Sequence, residues 1–195
     1  MHYLILSVLF LACHTSAQAN NVQYQLLSAS TTTVTPYLIS DQAISHQTLL
    51  SSTSGKKWLT TMSERLRNIM PEKEERDDFL STVHYEATRA GLDPQLVLSI
   101  IEVESAFKKY AISHAGALGY MQIMPFWVKT IGNKNHNLFH LRVNLRYGCM
   151  ILRHYLDMEN GNYFRALGRY NGSLGQAEYP QLVFDAWRIK WFYPS

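Results

Sequence analysis

Acidic side chains are missing from a long stretch of this 195-residue chain: no Asp or Glu occurs between Ser105 and Leu156. Any carboxylate chemistry there must come from residues outside that stretch. Cysteine is nearly absent too, with only Cys13 and Cys149, which excludes a disulfide framework. The apolar runs are too short to span a bilayer, and no segment alternates apolar and polar residues as a half-buried strand would. The eight histidines are scattered without metal-site spacing, and there is no phosphate-cradling glycine loop or nucleophile elbow. No metal and no cofactor are implied. A formal charge of +3 is far below the basic density of a nucleic-acid binder, so nucleic acid is not an expected partner.

What is present begins with Tyr3-Leu4-Ile5-Leu6-Ser7-Val8-Leu9-Phe10-Leu11-Ala12, an apolar run followed by Ala17-Gln18-Ala19. The pattern predicts a signal peptide over 1–19, cut after Ala19, although no Lys or Arg precedes the run. Phe10-Leu11-Ala12-Cys13 loosely resembles a lipobox with Phe in place of the usual Leu; soluble export to the periplasm is the expectation. Residues 20–57, rich in Ser, Thr and Gln, read as a flexible arm. Cys149, in Leu145-Arg146-Tyr147-Gly148-Cys149, reads as a small buried hydrophobe.

Residues 58–195 read as a single, mainly α domain. Helices are expected from Trp58 to about Ile69, before Pro71, and from Glu72 to Ala90, stopped by Gly91. Asp93-Pro94 supplies a cap and first-turn proline for the next. Further helices fit 126–131, 141–158, 162–170 and 178–191. On the helix opened by Pro94, Val97, Ile100, Ile101 and Glu104 share one face. A carboxylate that continues an apolar stripe is expensive to ionise and needs a partner or a task. Burial against Ile100 and Ile101 would raise its pKa and suit it to donating a proton.

Glu104-Ser105, then Gly119-Tyr120-Met121-Gln122-Ile123-Met124-Pro125, then Arg169-Tyr170-Asn171-Gly172 closely resemble the three ordered motifs of the soluble lytic transglycosylases, lysozyme-like enzymes of the goose-type helical fold. The resemblance covers Asp77 to about Ile189. It implies that Glu104 is the single catalytic acid and base, acting on peptidoglycan glycan strands. It further implies that Ser105 fixes the end of the catalytic helix and that Ser113 holds an acetamido group. Gln122 and Met124 would line the cleft, the Tyr170 hydroxyl would approach the catalytic carboxylate, and Asn171 would be its polar neighbour. Tyr120, Phe126 and Trp127 are candidate sugar-stacking aromatics, with core packing an equally good reading for the last two. Glu102, two residues from Glu104, points to another face.

A standard glycosidase needs two carboxylates flanking the scissile bond; the acid-free stretch after Glu104 fits a mechanism in which the substrate's acetamido group replaces one. The chain departs from the family at Tyr120, where Leu is common, at Phe107, at Lys108-Lys109 in place of Asn-Pro, and at Gly172-Ser173 in place of Ala-Gly. These departures touch substrate detail more than chemistry. A goose-type hydrolase and an inactive glycan-binding scaffold are the competing readings, and general wall turnover and service to a secretion, pilus or conjugation apparatus fit the sequence equally.

Overall fold

The computed structural model describes residues 47–194; the expected signal peptide and most of the expected arm lie outside them. Short helix α1, Gln47–Leu50, is followed by α2, Thr53–Leu66, α3, Lys73–Arg89, and α4, Pro94–Ser105. A long loop leads to α5, Phe126–Ile131, then to α6, Leu141–Met158, α7, Tyr163–Asn171, and α8, Glu178–Asp185. The coil then widens into a π-helical segment, Ala186–Trp191. Among the described residues extended pairing is confined to isolated bridges, Ile112 with Leu118 and Leu118 with Ile123. No helix there is long and apolar enough to cross a membrane.

The domain starts earlier than Trp58. Ser52 accepts from the Gly55 amide at 3.0 Å, an N-cap that begins α2 at Thr53. Leu49 of α1 is buried on the core. Residues 47–57 therefore belong to the helical body and not to a flexible arm, because the serine that looked like low complexity is a cap. Trp58, Leu59, Met62 and Leu66 then bury one face of α2. A polar knot joins that helix to α3: Ser63 donates to Asp77 at 2.6 Å, and the Arg76 side chain donates to Ser63 at 2.8 Å.

Helix α3 ends as Gly91 predicts. The Leu92 amide reaches back to the Ala87 carbonyl and the Gly91 amide to Thr88, with Gly91 at φ 65°, the two-bond pattern of a glycine-terminated helix. Asp93 then caps α4 through the Gln95 amide at 2.7 Å. Helix α4 is the axis of the molecule, with Leu96, Val97, Leu98, Ile100 and Ile101 all fully buried. It packs on α3, α8 and the π-helical segment, and a helix whose middle turns are apolar on most sides needs such a jacket. Each of these side chains contributes roughly 1.5–3 kcal/mol by leaving water.

Helix α6 buries Val143, Leu145, Cys149, Leu152 and Leu156. Burial pushes the Cys149 thiol up, so it stays protonated. Helices α3 and α6 are also joined by a buried ion cluster. Glu86, 1% exposed, takes a two-pronged contact from Arg146 and a bond from Arg142 at 3.1 Å. The final helix, expected to run regularly to Trp191, is α-helical only to Asp185. Its widened end is held by Glu102, which binds Lys190 and accepts from the Trp191 indole at 2.7 Å. Arg65 adds bonds to the Lys190 and Phe192 carbonyls. One inserted residue per turn exposes carbonyls for such contacts.

Candidate active site

Glu104 lies in the last turn of α4, where the chain breaks sharply. Ala106 and Phe107 sit at φ 48° and 62°, two successive left-handed residues without the freedom of glycine. Burial of the Phe107 ring against Phe79, at 6.0 Å, and Trp191, at 5.4 Å, holds this turn. The bend leaves the Glu104 carboxyl at the helix end and turns the following loop back beside it.

Burial raises the Glu104 pKa, and a hydrogen bond from Tyr179 partly offsets the rise, leaving it pushed up to about 7. The Tyr179 hydroxyl donates to Oε1 at 2.6 Å, and its own phenol is pushed well above the usual range by burial, then by the facing carboxylate. The group is therefore balanced between acid and base near neutral pH, which a single residue serving both roles requires. No neighbouring charge contributes to the shift among the described residues. Glu102 is engaged with Lys190 and Trp191, on the face of α4 expected for it.

Four side chains organise the turn beside the carboxyl. Ser105 donates to the Ile101 carbonyl at 3.0 Å and to the Tyr120 carbonyl at 2.8 Å, so it ties the helix end to the turn and is not free to meet a ligand. Tyr170, from α7, donates to the Met121 carbonyl at 2.8 Å. Asn144, from α6 and fully buried, accepts from the Met121 amide at 2.8 Å. Its amide nitrogen donates to the carbonyls of Leu118 at 2.9 Å and Leu138 at 2.8 Å. Gln122, at φ 50°, donates to the carbonyls of Gly119 at 2.9 Å and Ala111 at 3.2 Å. Gly119 itself, at φ 76°, lies so close to Asn144 and the Leu138 carbonyl that a Cβ would collide with them.

The hydroxyl bonded to the Glu104 carboxyl is that of Tyr179; the Tyr170 hydroxyl donates to the Met121 carbonyl, and burial followed by the nearby Glu104 carboxylate pushes its phenol well above the usual range. One sequence expectation needs correction. The Tyr120 ring is only 5% exposed and packs on Phe79 at 5.0 Å, so it is core and not a sugar platform. Trp127 is likewise buried. Ser113 accepts from the Ala117 amide at 3.0 Å and braces a tight turn. Met124 is partly buried at the core margin, and Asn171 is exposed at the end of α7. Tyr179 and Asn144 were missed because each lies on its own helix, far in sequence from the residues it holds.

The model of the transglycosylase SLT domain matches residues 81–181, which carry Glu104, the turn, Tyr170 and Tyr179. Over 47 residues the chain is 51% identical to the membrane-bound lytic murein transglycosylase C of Actinobacillus pleuropneumoniae serotype 5b (strain L20), covering 24% of this chain and 13% of the relative. It is 33% identical over 98 residues to the transglycosylase of enterobacteria phage PRD1, covering 50% of this chain and 36% of that protein. The matched part is thus a minor share of each relative's length. Among solved structures it is similar to an inactive mutant of the lytic transglycosylase Slt from Pseudomonas aeruginosa, at TM-score 0.45 and 18% identity over 90% of this chain and 30% of that one. The 70 kDa soluble lytic transglycosylase from Escherichia coli is similar at TM-score 0.44 and 14% identity over 89% and 31%. The family match spans just over half of the chain, and the chain belongs to the transglycosylase SLT domain family.

Proposed function

We propose that this chain cleaves the β-1,4 bond between N-acetylmuramic acid and N-acetylglucosamine in peptidoglycan without adding water. The observation that carries the reading is Glu104: one half-buried carboxyl, bonded by the Tyr179 hydroxyl and pushed up to about 7, with no neighbouring charge contributing to the shift. A second carboxylate roughly 5–9.5 Å away, as in standard glycosidases, would push like charge against like.

Glu104, protonated, gives its proton to the glycosidic oxygen as the bond to the anomeric carbon breaks. The muramic acid acetamido carbonyl attacks that carbon in the same step and takes the place of an enzymic nucleophile. The resulting Glu104 carboxylate then removes the proton from the C6 hydroxyl, whose oxygen attacks the anomeric carbon, displaces the acetamido oxygen and closes the 1,6-anhydro ring. Tyr179 supports both states by donating to the same oxygen throughout, more strongly to the charged form. The turn held by Ser105, Asn144, Tyr170 and Gln122 provides the wall beside the acid, with Met124 at its margin. Such a substrate requires export, so the reading carries a periplasmic location with it.

Digestion of purified sacculi followed by mass spectrometry of the products tests the proposal. The expected products end in 1,6-anhydro-muramic acid, and Glu104→Gln releases none. Reducing ends would identify a hydrolase, and unchanged release by Glu104→Gln would remove Glu104 from the chemistry.

A further inference from the structure

Tyr179 does not meet the end of α4 alone. The helix that carries it passes at Asp185 into the π-helical segment, with backbone angles still α-helical at the junction, and ends at Trp191. Trp191 is 3% exposed. Its indole N–H donates to Glu102 at 2.7 Å, and its ring packs on Phe107 at 5.4 Å. Glu102 and Phe107 bracket Glu104 in the chain, one before it and one after. Phe107 is also one of the two left-handed residues that make the break beyond the carboxyl.

The widening is what lets both contacts form. In an unbroken α-helix residue 191 would lie about a third of a turn round from residue 179. A π-helical residue advances less around the axis, because each bond reaches five residues in place of four. The segment from Ala186 to Trp191 thus brings Trp191 back towards the face that carries Tyr179. Arg65, from α2, braces the widened turn through the Lys190 and Phe192 carbonyls at 2.9 and 3.0 Å. One continuous rod therefore touches Glu102, Glu104 and Phe107. A hydroxyl bond of 2.6 Å is lost when its partners part by about 1 Å, so the register of that rod decides whether Tyr179 reaches the carboxyl.

We propose that Trp191 is a positioning residue that keeps the Tyr179 hydroxyl on the Glu104 carboxyl; the reaction assigned to that carboxyl rests on the function proposed above. The groups that titrate or carry charge around this end of α4 are the phenols of Tyr179 and Tyr170, then Glu102 and Lys190, with Arg65 behind the π-helical segment. Lys190 reaches Glu102 from a largely exposed position, whereas the indole is buried between Glu102 and Phe107.

The test titrates Glu104 by NMR in protein containing glutamate labelled at the carboxyl carbon, and follows digestion of purified sacculi across pH. Trp191→Phe keeps an aromatic ring against Phe107 and removes the indole N–H. It should move the Glu104 titration and the alkaline limb of the pH–rate profile up by about half a unit, the direction set by weakening a bond that favours the carboxylate. On sacculi kcat should fall about ten-fold with KM unchanged, since a small misplacement of a reacting group is expensive and the buried ring does not meet substrate. In a Tyr179→Phe background the same change should add no further shift, because the bond it serves is already gone. Glu102→Ala breaks the indole bond from the side of α4, should shift the titration the same way, and carries the test if Trp191→Phe does not fold. Lys190→Met removes only the exposed charge and should leave the titration as in wild type. A titration unmoved or lowered in Trp191→Phe and Glu102→Ala overturns the proposal, as does a shift that persists in full beside Tyr179→Phe or is matched by Lys190→Met. A protein whose Glu104 titration responds as expected but which releases no anhydro product keeps Trp191 as a positioning residue and refutes the proposed function.

Discussion

At the scale of single residues, the central consequence is that Glu104 is costly to ionise. Its carboxyl has an ordinary value of 4.5 and is held at about 7 in the folded chain. Below pH 4.5 the group is protonated in folded and unfolded chains alike. Between 4.5 and 7 the unfolded chain ionises first, and stability is lost as pH rises, by about 3 kcal/mol in all. Urea denaturation should therefore show Glu104→Gln as more stable than wild type at pH 8 by about that amount, with the gap closing towards pH 4.5. The same variant should lose about 10²–10⁴-fold in turnover, the usual contribution of a positioned proton donor. Tyr179→Phe removes the bond that favours the carboxylate. The alkaline limb of its pH–rate profile should move up by about one unit and kcat/KM should drop at least ten-fold, since a bond to a charged group contributes roughly 1.5–3 kcal/mol. A profile unmoved by Tyr179→Phe would separate that hydroxyl from proton handling.

At the scale of elements, the turn from Leu118 to Ile123 owes its shape to bonds from three helices. Asn144→Ala would leave the Met121 amide and the carbonyls of Leu118 and Leu138 without their partner. A loss of about 2–4 kcal/mol in unfolding free energy is expected, with a lower kcat. Asn144→Asp should fare no better: it keeps the acceptor for Met121, loses both donors and buries a charge. The elements themselves were legible where local chemistry announces them. Asp93-Pro94 opens α4, Gly91 closes α3, and the stripe of Val97, Ile100 and Ile101 leads the eye to Glu104. The start of α2 was hidden because serine serves caps and unstructured tracts alike. The π-helical widening after Asp185 was not legible either, since Glu102 and Arg65 impose it from distant helices. The same holds for the site: Glu104 stands out within its own helix, whereas Tyr179 is one of twelve tyrosines until the fold brings it to the carboxyl.

At the scale of the whole molecule, a buried triad of charges spans the helices that flank the core. Glu86→Gln would leave Arg142 and Arg146 facing a neutral amide across the α3–α6 seam. Loss of one partner of such a cluster costs about 3–5 kcal/mol. A large drop in the thermal midpoint is expected, readable by calorimetry, with the pH–rate profile of the proposed cleavage unchanged in the protein that stays folded, because the cluster does not touch Glu104. The bond from Tyr179 to Glu104, between residues 75 positions apart, has a consequence in time. During synthesis the carboxyl emerges well before the hydroxyl and the helix that enclose it. Until α8 docks, Glu104 is a solvated acid with an ordinary pKa, ionised at neutral pH and unable to donate. Glu104 thus acquires the raised pKa on which the proposed cleavage rests only when folding is nearly finished.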